Sequence, residues 1–156
     1  MVLQTLRDYL DREKVKYVVI THSPAHTAQE IAAAAHIPGK EMAKTVMVKM
    51  DGEMVMVVLP ASAKVELGRL LDATGAEEVE LAQEREFKHL FPGCELGAMP
   101  PFGNLFGLRT FVAEELTEDE EIAFNAGTAT DLIRMRYEDY ARLVQPRSLP
   151  FRITVW

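Results

Sequence analysis

The sequence predicts an α/β domain, a mixed β-sheet with helices packed against it, formed as a single unit by all 156 residues. Three observations carry that expectation. Segments with helical spacing and short β-rich runs alternate along the chain. Asp51-Gly52 stands between two strand-like runs and is a hairpin signal, so at least one strand pair is antiparallel. No long linker, internal repeat or low-complexity tract divides the chain, whose length suits one self-sufficient core.

The elements follow in order. Residues 2–13 carry Leu3, Leu6 and Leu10 at helical spacing with charges between them, which predicts an amphipathic helix. Tyr17-Val18-Val19-Ile20 is a short strand-like run, interrupted afterwards by Pro24. Thr27-Ala28-Gln29-Glu30 has the pattern of a capping box and opens a helix through Ala35, which Pro38-Gly39 closes. Ala43–Met50 and Met54–Leu59 are the two arms of the hairpin. The same periodicity argument gives a helix over 64–73, a strand over 77–81 and a helix over 83–90. Strands at 109–113, 122–124 and 132–135 and a helix at 137–144 complete the expectation.

Composition narrows the function classes. The chain is 48% hydrophobic and 26% charged, and no apolar run reaches the roughly 18 residues of a membrane span. Met1–Asp8 lacks the basic, apolar and small-residue regions of a signal peptide, so a cytoplasmic location is expected. One cysteine, Cys94, supports neither an internal disulfide nor a cysteine-based zinc site. The formal charge of −7 argues against indiscriminate nucleic-acid binding. Six acids crowd into Glu114, Glu115, Glu118, Asp119, Glu120 and Glu121, which read as a solvated loop, and the rest of the chain is close to neutral. Arg12, Lys14, Lys16, Lys40, Lys44 and Lys49 offer a local basic patch to a tRNA-sized ligand.

Lys44 is the most informative residue. Alternation along a strand puts Met42, Lys44, Val46, Val48 and Met50 on one face, four apolar side chains and one cation. Leaving an unpaired ammonium in apolar surroundings costs several kcal/mol or forces its pKa down. The lysine therefore either carries its head to water from the strand's end or lines a cleft where its charge has a use.

Two further segments stand out. Pro92–Leu108 holds four of the nine glycines and three of the eight prolines, which fixes an irregular backbone. Within it, Gly97-Ala98-Met99-Pro100-Pro101-Phe102-Gly103 reads as a stiff loop that presents main-chain groups to a ligand or serves as a structural crossover. No Gly-Lys-Ser/Thr follows, so it is not a phosphate loop. Phe124-Asn125-Ala126-Gly127-Thr128 runs from a strand into small polar residues. Its N–H groups and hydroxyl suit a carbonyl or oxyanion, and a plain turn is the equally available reading.

Taken together, His22-Ser23-Pro24 with Thr27-Ala28-Gln29-Glu30, Ala43-Lys44-Thr45, the Gly-x-x-x-Pro element Gly97–Pro101 and Asn125-Ala126-Gly127 resemble the YbaK/aminoacyl-tRNA synthetase-associated domain. That family comprises trans-editing aminoacyl-tRNA deacylases, among them Cys-tRNA(Pro) and Ala-tRNA(Pro) deacylases, and the editing insertion of bacterial prolyl-tRNA synthetases. The motifs occur in family order across nearly the whole chain. The resemblance implies a compact α/β fold around a mixed, barrel-like sheet, and hydrolysis of the ester of a mischarged tRNA, with tRNA(Pro) as a candidate. It implies Lys44 as the catalytic residue. The substrate would be held by His22, Thr27, Gly97, Ala98, Met99, Pro100, Pro101, Gly103, Asn125, Ala126, Gly127 and Thr128. The head of Lys44 is accordingly expected in a pocket walled by Gly97–Pro101 and Asn125–Gly127. No metal or cofactor is implied. The partners would be aminoacyl-tRNA and an aminoacyl-tRNA synthetase, and neither DNA nor a membrane. Ala98-Met99-Pro100 is bulkier than the Gly-Ile-Ser of some relatives, a departure that bears on amino-acid specificity.

Other chemistries fit less well. His22 and His26 flank Pro24 without the glutamate of a zinc-protease helix, and His36 and His89 read as ordinary surface or helix-end residues. Ser23 and Ser62 lack a nucleophile elbow, and Cys94 has no basic neighbour in sequence. The alternative from another class is a non-catalytic module that binds aminoacyl-tRNA or a synthetase. Retention of Lys44 favours the enzyme.

Overall fold

A computed structural model describes residues 2–23, 27–150 and 152–154. Pro24 and His26, which figure in the sequence argument, lie outside the described residues. The chain begins with helix α1 (Gln4–Arg12), which buries Leu6 and Leu10, followed by strand β1 (Tyr17–Thr21). Helix α2 (Ala28–Ala34) starts where the sequence placed it: the Thr27 hydroxyl accepts the Glu30 N–H at 3.0 Å. The hairpin strands β2 (Met42–Met50) and β3 (Glu53–Pro60) pair from Ala43 opposite Pro60 to Met50 opposite Glu53. At its tip Asp51 and Gly52 both have positive φ, 51° and 81°, as a tight primed turn requires.

The next stretch departs from expectation. Residues expected to open a helix at 64 instead form β4 (Ala63–Val65), so helix α3 (Leu67–Thr74) begins later. β4 is recruited by a partner far along the chain, β10 (Arg152–Thr154), a signal that helical periodicity does not contain. β5 (Val79–Leu81) is also shorter than expected, because the Asp51 carboxylate takes the N–H groups of Glu77 (3.0 Å) and Glu78 (2.8 Å). Helix α4 is only Glu84–Phe87, continued by a 3-10 turn at Lys88–Leu90. Then come β6 (Thr110–Ala113), β7 (Glu121–Asn125), β8 (Asp131–Arg136), helix α5 (Tyr137–Val144) and the unforeseen three-residue β9 (Arg147–Leu149).

The main sheet runs β1-β8-β7-β2-β3-β6-β9, with β5 also paired to β2. It is mixed: β2·β7, β3·β6 and β6·β9 are parallel, and the remaining pairs are antiparallel. Alternate residues feed opposite faces. One face carries the largest apolar cluster, in which Ala43, Met47, Met56, Val58, Val112, Ile122, Phe124 and Ile133 meet α1 and α5. The other face carries two separate clusters. Met42, Ala61, Ala123 and Leu132 pack under Ile31 and Ala32 of α2, whereas Val48, Val55, Val57, Leu59 and Phe111 pack under Leu70 of α3. The gap between those two clusters is where Lys44 emerges. No helix among the described residues is long and apolar enough to cross a membrane.

Two charge expectations need correction. Lys49 drops out of the basic patch, because its ammonium is engaged by Glu86 at 2.6 Å and Glu80 at 3.2 Å. Nor is the acidic run only a solvated loop: Glu114–Glu118 forms a 3-10 helix that buries Leu116. Burial, reinforced by Glu41 and Glu118 and opposed by Lys40, pushes the Asp119 carboxyl up to about 6, and its Oδ2 has no hydrogen-bond partner among the described residues. A raised carboxyl pKa means the native state binds the proton better than the unfolded chain, so this site lowers stability as pH climbs from about 4 through 6. Asp119→Asn should therefore raise the melting midpoint at pH 7.5 and lose that advantage near pH 4. An equal shift at both pH values would show that charge is not the cause.

Candidate active site

Lys44 lies on β2 opposite Leu59 of β3, one residue beyond Ala43, the last position paired to β7. Its neighbours on the same face are Met42, in the cluster under α2, and Val46, packed on the cluster under α3. Alternation thus places the cation at the seam between two apolar clusters, as the sequence pattern demanded.

A cavity of about 250 Å³ opens at that seam. It is lined by Thr27, Ala28 and Gln29 at the start of α2, by Ala61 and Ala63, and by the ammonium-bearing side chains of Lys44 and Lys64. The small residues Ala28, Ala61 and Ala63 are what leave the space. Lys44 is half-buried, and neither lysine makes an ion pair with any described residue. Burial, with the charge of Lys64 as the second cause, holds the Lys44 ammonium below the ordinary lysine range. A partly desolvated cation without a counter-ion attracts an anion, or negative charge that develops during a reaction, more strongly than one in water does.

The expected Gly97–Pro101 wall is not among the residues that line this cavity. Ala98, Met99, Pro100 and Pro101 are buried, and Met99 joins the core on the opposite face with Phe102, Phe124 and Tyr140. The bulk of Met99 is therefore spent on packing, and the Pro101 carbonyl accepts the Tyr140 hydroxyl at 2.6 Å. Gly103 has a packing reason as well, since a Cβ there would collide with Thr110 and with the Leu108 carbonyl.

Asn125 and the loop do meet. Asn125 Nδ2 donates to the Gly97 carbonyl at 3.3 Å, and its Oδ1 is buried without a partner among the described residues. Asn125 sits one residue past Phe124, as Lys44 sits one past Ala43, and faces Leu132 across β8. It belongs to the Lys44 face. Several of the N–H groups expected to bind an oxyanion have partners in the fold: Ala126 donates to the Asp131 carbonyl, Gly127 to Ala98 and Ala98 to Glu95. The Thr128 hydroxyl is tied to Asp131 at 2.7 Å. Gly127, at φ 99°, lies against Leu3, where a Cβ would come within 2.8 Å.

His22 directly follows β1, whose last residue, Thr21, pairs with Asp131. Its Nδ1 lies 2.7 Å from the Ser23 carbonyl, so Nδ1 carries the proton, and its buried Nε2 has no partner among the described residues. Cys94 is half-buried and its thiol is pushed up to about 11, so it stays protonated and is a poor nucleophile. No three His, Cys, Asp or Glu side chains cluster as metal ligands among the described residues.

Residues 22–143 match the Aminoacyl-tRNA editing domain family. The chain belongs to that family. As an editing domain it is an aminoacyl-tRNA deacylase, a hydrolase acting on the ester between amino acid and tRNA. It is similar to the "Multifunctional Ser/Thr-tRNA deacylase ProXp-y" of Escherichia coli strain K12, at 30% identity over 97% of this chain and 93% of that protein. A Proline--tRNA ligase of Leuconostoc citreum strain KM20 is 27% identical over 83% of this chain, which covers 23% of that longer protein. In fold, the editing domain superposes on the crystal structure of the hypothetical protein APE2540 with a TM-score of 0.85, at 18% identity, over 96% of this chain and 100% of the other. Of the cavity's lining residues that sequence reasoning did not single out as site residues, Ala28 and Gln29 lie in the Thr27–Glu30 motif, whereas Ala61, Ala63 and Lys64 belong to no motif.

Proposed function

We propose that the whole chain acts as one free-standing editing unit that clears mischarged tRNA, with Lys44 at the reacting ester. The observation that carries this reading is the half-buried, unpaired Lys44 ammonium in a cavity of about 250 Å³. An aminoacyl ester is already activated, so its hydrolysis needs a positioned water, a polarised carbonyl and exclusion of the wrong substrate. Water adds to the carbonyl carbon, negative charge gathers on the carbonyl oxygen, and the ester C–O bond breaks to release the ribose hydroxyl. Lys44 faces that developing charge from a site where water screens it poorly. The vicinal hydroxyl of the substrate's ribose assists the water.

The cavity's size and the hydroxyl and amide of Thr27 and Gln29 at its mouth suit a small, polar amino acid. That agrees with the Ser/Thr-tRNA specificity named for the Escherichia coli relative, and the similarity to a Proline--tRNA ligase makes tRNA(Pro) a tRNA to test. The place of action is the cytoplasm, where aminoacyl-tRNA is made and used. Deacylation of purified Ser-, Thr-, Cys- and Ala-charged tRNA(Pro), and of Ser- and Thr-tRNA from other isoacceptors, tests the reading. Turnover of seryl or threonyl esters that persists in EDTA is expected. Binding of these tRNAs without turnover would favour a non-catalytic module instead, and loss in EDTA restored by zinc would overturn the metal-free mechanism.

A further inference from the structure

We propose that Lys64 is the phosphate anchor of the Lys44 cavity, pairing with the phosphodiester just 5′ of the terminal ribose that carries the amino acid. The inference rests on the deacylase reading and adds a binding residue to it.

The cavity is a cationic spot on an acidic protein. The chain has a formal charge of −7, yet the lining residues include two lysines and no carboxylate. Some of the chain's cations are answered by acids, Lys49 by Glu80 and Glu86, Arg109 by Glu53 and Arg69 by Glu66, and others among the described residues stand free on the surface. Lys64 makes no ion pair with any described residue, and what sets it apart is its place beside Lys44 on the cavity wall. It is exposed on the three-residue strand β4, immediately after the turn that carries the chain from β3 past Lys44. Its charge reaches Lys44 strongly enough to contribute to the depression of that ammonium's pKa. Two like charges held at one cavity wall, with no acid among the described lining residues, favour an anion between them.

The chemistry of an aminoacyl-tRNA says which anion. The amino acid's carboxyl is esterified and its α-amino group is cationic, so the aminoacyl end repels both lysines. The negative charges of this ligand are its phosphates. The nearest one lies a single ribose away from the ester. With Lys44 at the carbonyl oxygen, the second, more exposed cation has the phosphodiester as its natural partner. A compact, mobile ammonium serves as a point charge for a phosphate.

Adenosine 5′-monophosphate and adenosine are the probes, because they differ only in the group that Lys64 is assigned. By calorimetry, the wild-type protein should bind the monophosphate about tenfold tighter than adenosine, the size of one charge-assisted contact. Lys64→Ala should erase that preference and Lys64→Arg should keep most of it. With Ser-tRNA as substrate, Lys64→Ala should lower kcat/KM about tenfold, chiefly through KM, and flatten the salt dependence by about 0.7 in log–log slope. A wild-type protein with no preference for the monophosphate, or a Lys64→Ala variant that retains it, would overturn the assignment. Failure to hydrolyse any mischarged tRNA would instead sink the deacylase reading and leave the nucleotide-binding result standing on its own.

Discussion

Replacing Lys44 by alanine should slow deacylation about 10²–10³-fold, a loss of roughly 2–4 kcal/mol of transition-state stabilisation, with folding intact. The ammonium is assigned to charge that exists only as the carbonyl oxygen becomes anionic, so kcat should fall with kcat/KM rather than KM rise alone. Stability should move the other way. Burial first, and Lys64 second, make the folded state a worse host for this proton than the unfolded chain. A lysine depressed in that way carries its full penalty below its folded pKa and sheds it as pH rises toward the unfolded value near 10.4. Lys44→Met, which keeps the aliphatic stem, should therefore melt at or above wild type at pH 7 and lose that margin as pH approaches 10. Unchanged turnover in either variant would remove Lys44 from the mechanism. A collapsed melting curve in both would make it a structural lysine.

The position of Lys44 was legible because alternation is a local rule: Met42, Val46 and Val48 declare which face is apolar, and the cation interrupts them. The β2–β3 hairpin was legible for a similar reason, since Asp51-Gly52 fixes both turn and register within a few residues. Of the cavity's walls, Thr27 stood in a legible motif, but the far side did not. Ala61, Ala63 and Lys64 reach Lys44 through the turn after β3 and the pairing of β4 with β10, a contact between segments nearly ninety positions apart. Three-residue strands such as β4, β9 and β10 are too short to show a period. The glycine- and proline-rich loop is ambiguous in a different way. Glycine density signals either a backbone offered to a ligand or a backbone pressed against its neighbours. At Gly103 and Gly127 the second reason is the physical one, as the colliding Cβ positions show.

Phe102→Ala should be the most destabilising of these substitutions, by about 3–5 kcal/mol. The ring is fully buried, with centroids 5.3 Å from Tyr140, 5.4 Å from Phe124 and 6.3 Å from Tyr9, two of them edge-on. Those partners come from α5, β7 and α1, so one side chain joins the loop to three elements of the main core. Truncation leaves a cavity that rigid aromatic neighbours cannot close, and the loss of favourable ring contacts adds to the transfer cost. For a chain of this length about 2–4 °C accompanies each kcal/mol, giving a fall of about 6–20 °C in the melting midpoint. Out of a typical stability of about 5–15 kcal/mol, such a loss leaves some variants marginal, so urea titration at low temperature is the better measurement. The adjacent bond from the Tyr140 hydroxyl to the Pro101 carbonyl provides an internal check. Tyr140→Phe alone should cost about 1–3 kcal/mol by leaving that buried carbonyl unanswered. Combined with Phe102→Ala it should cost less than the sum, because the first truncation already loosens the loop that holds the carbonyl in place. A Phe102→Ala loss below about 1 kcal/mol would mean that the aromatic cluster repacks freely, and the loop would then not be anchored through this ring.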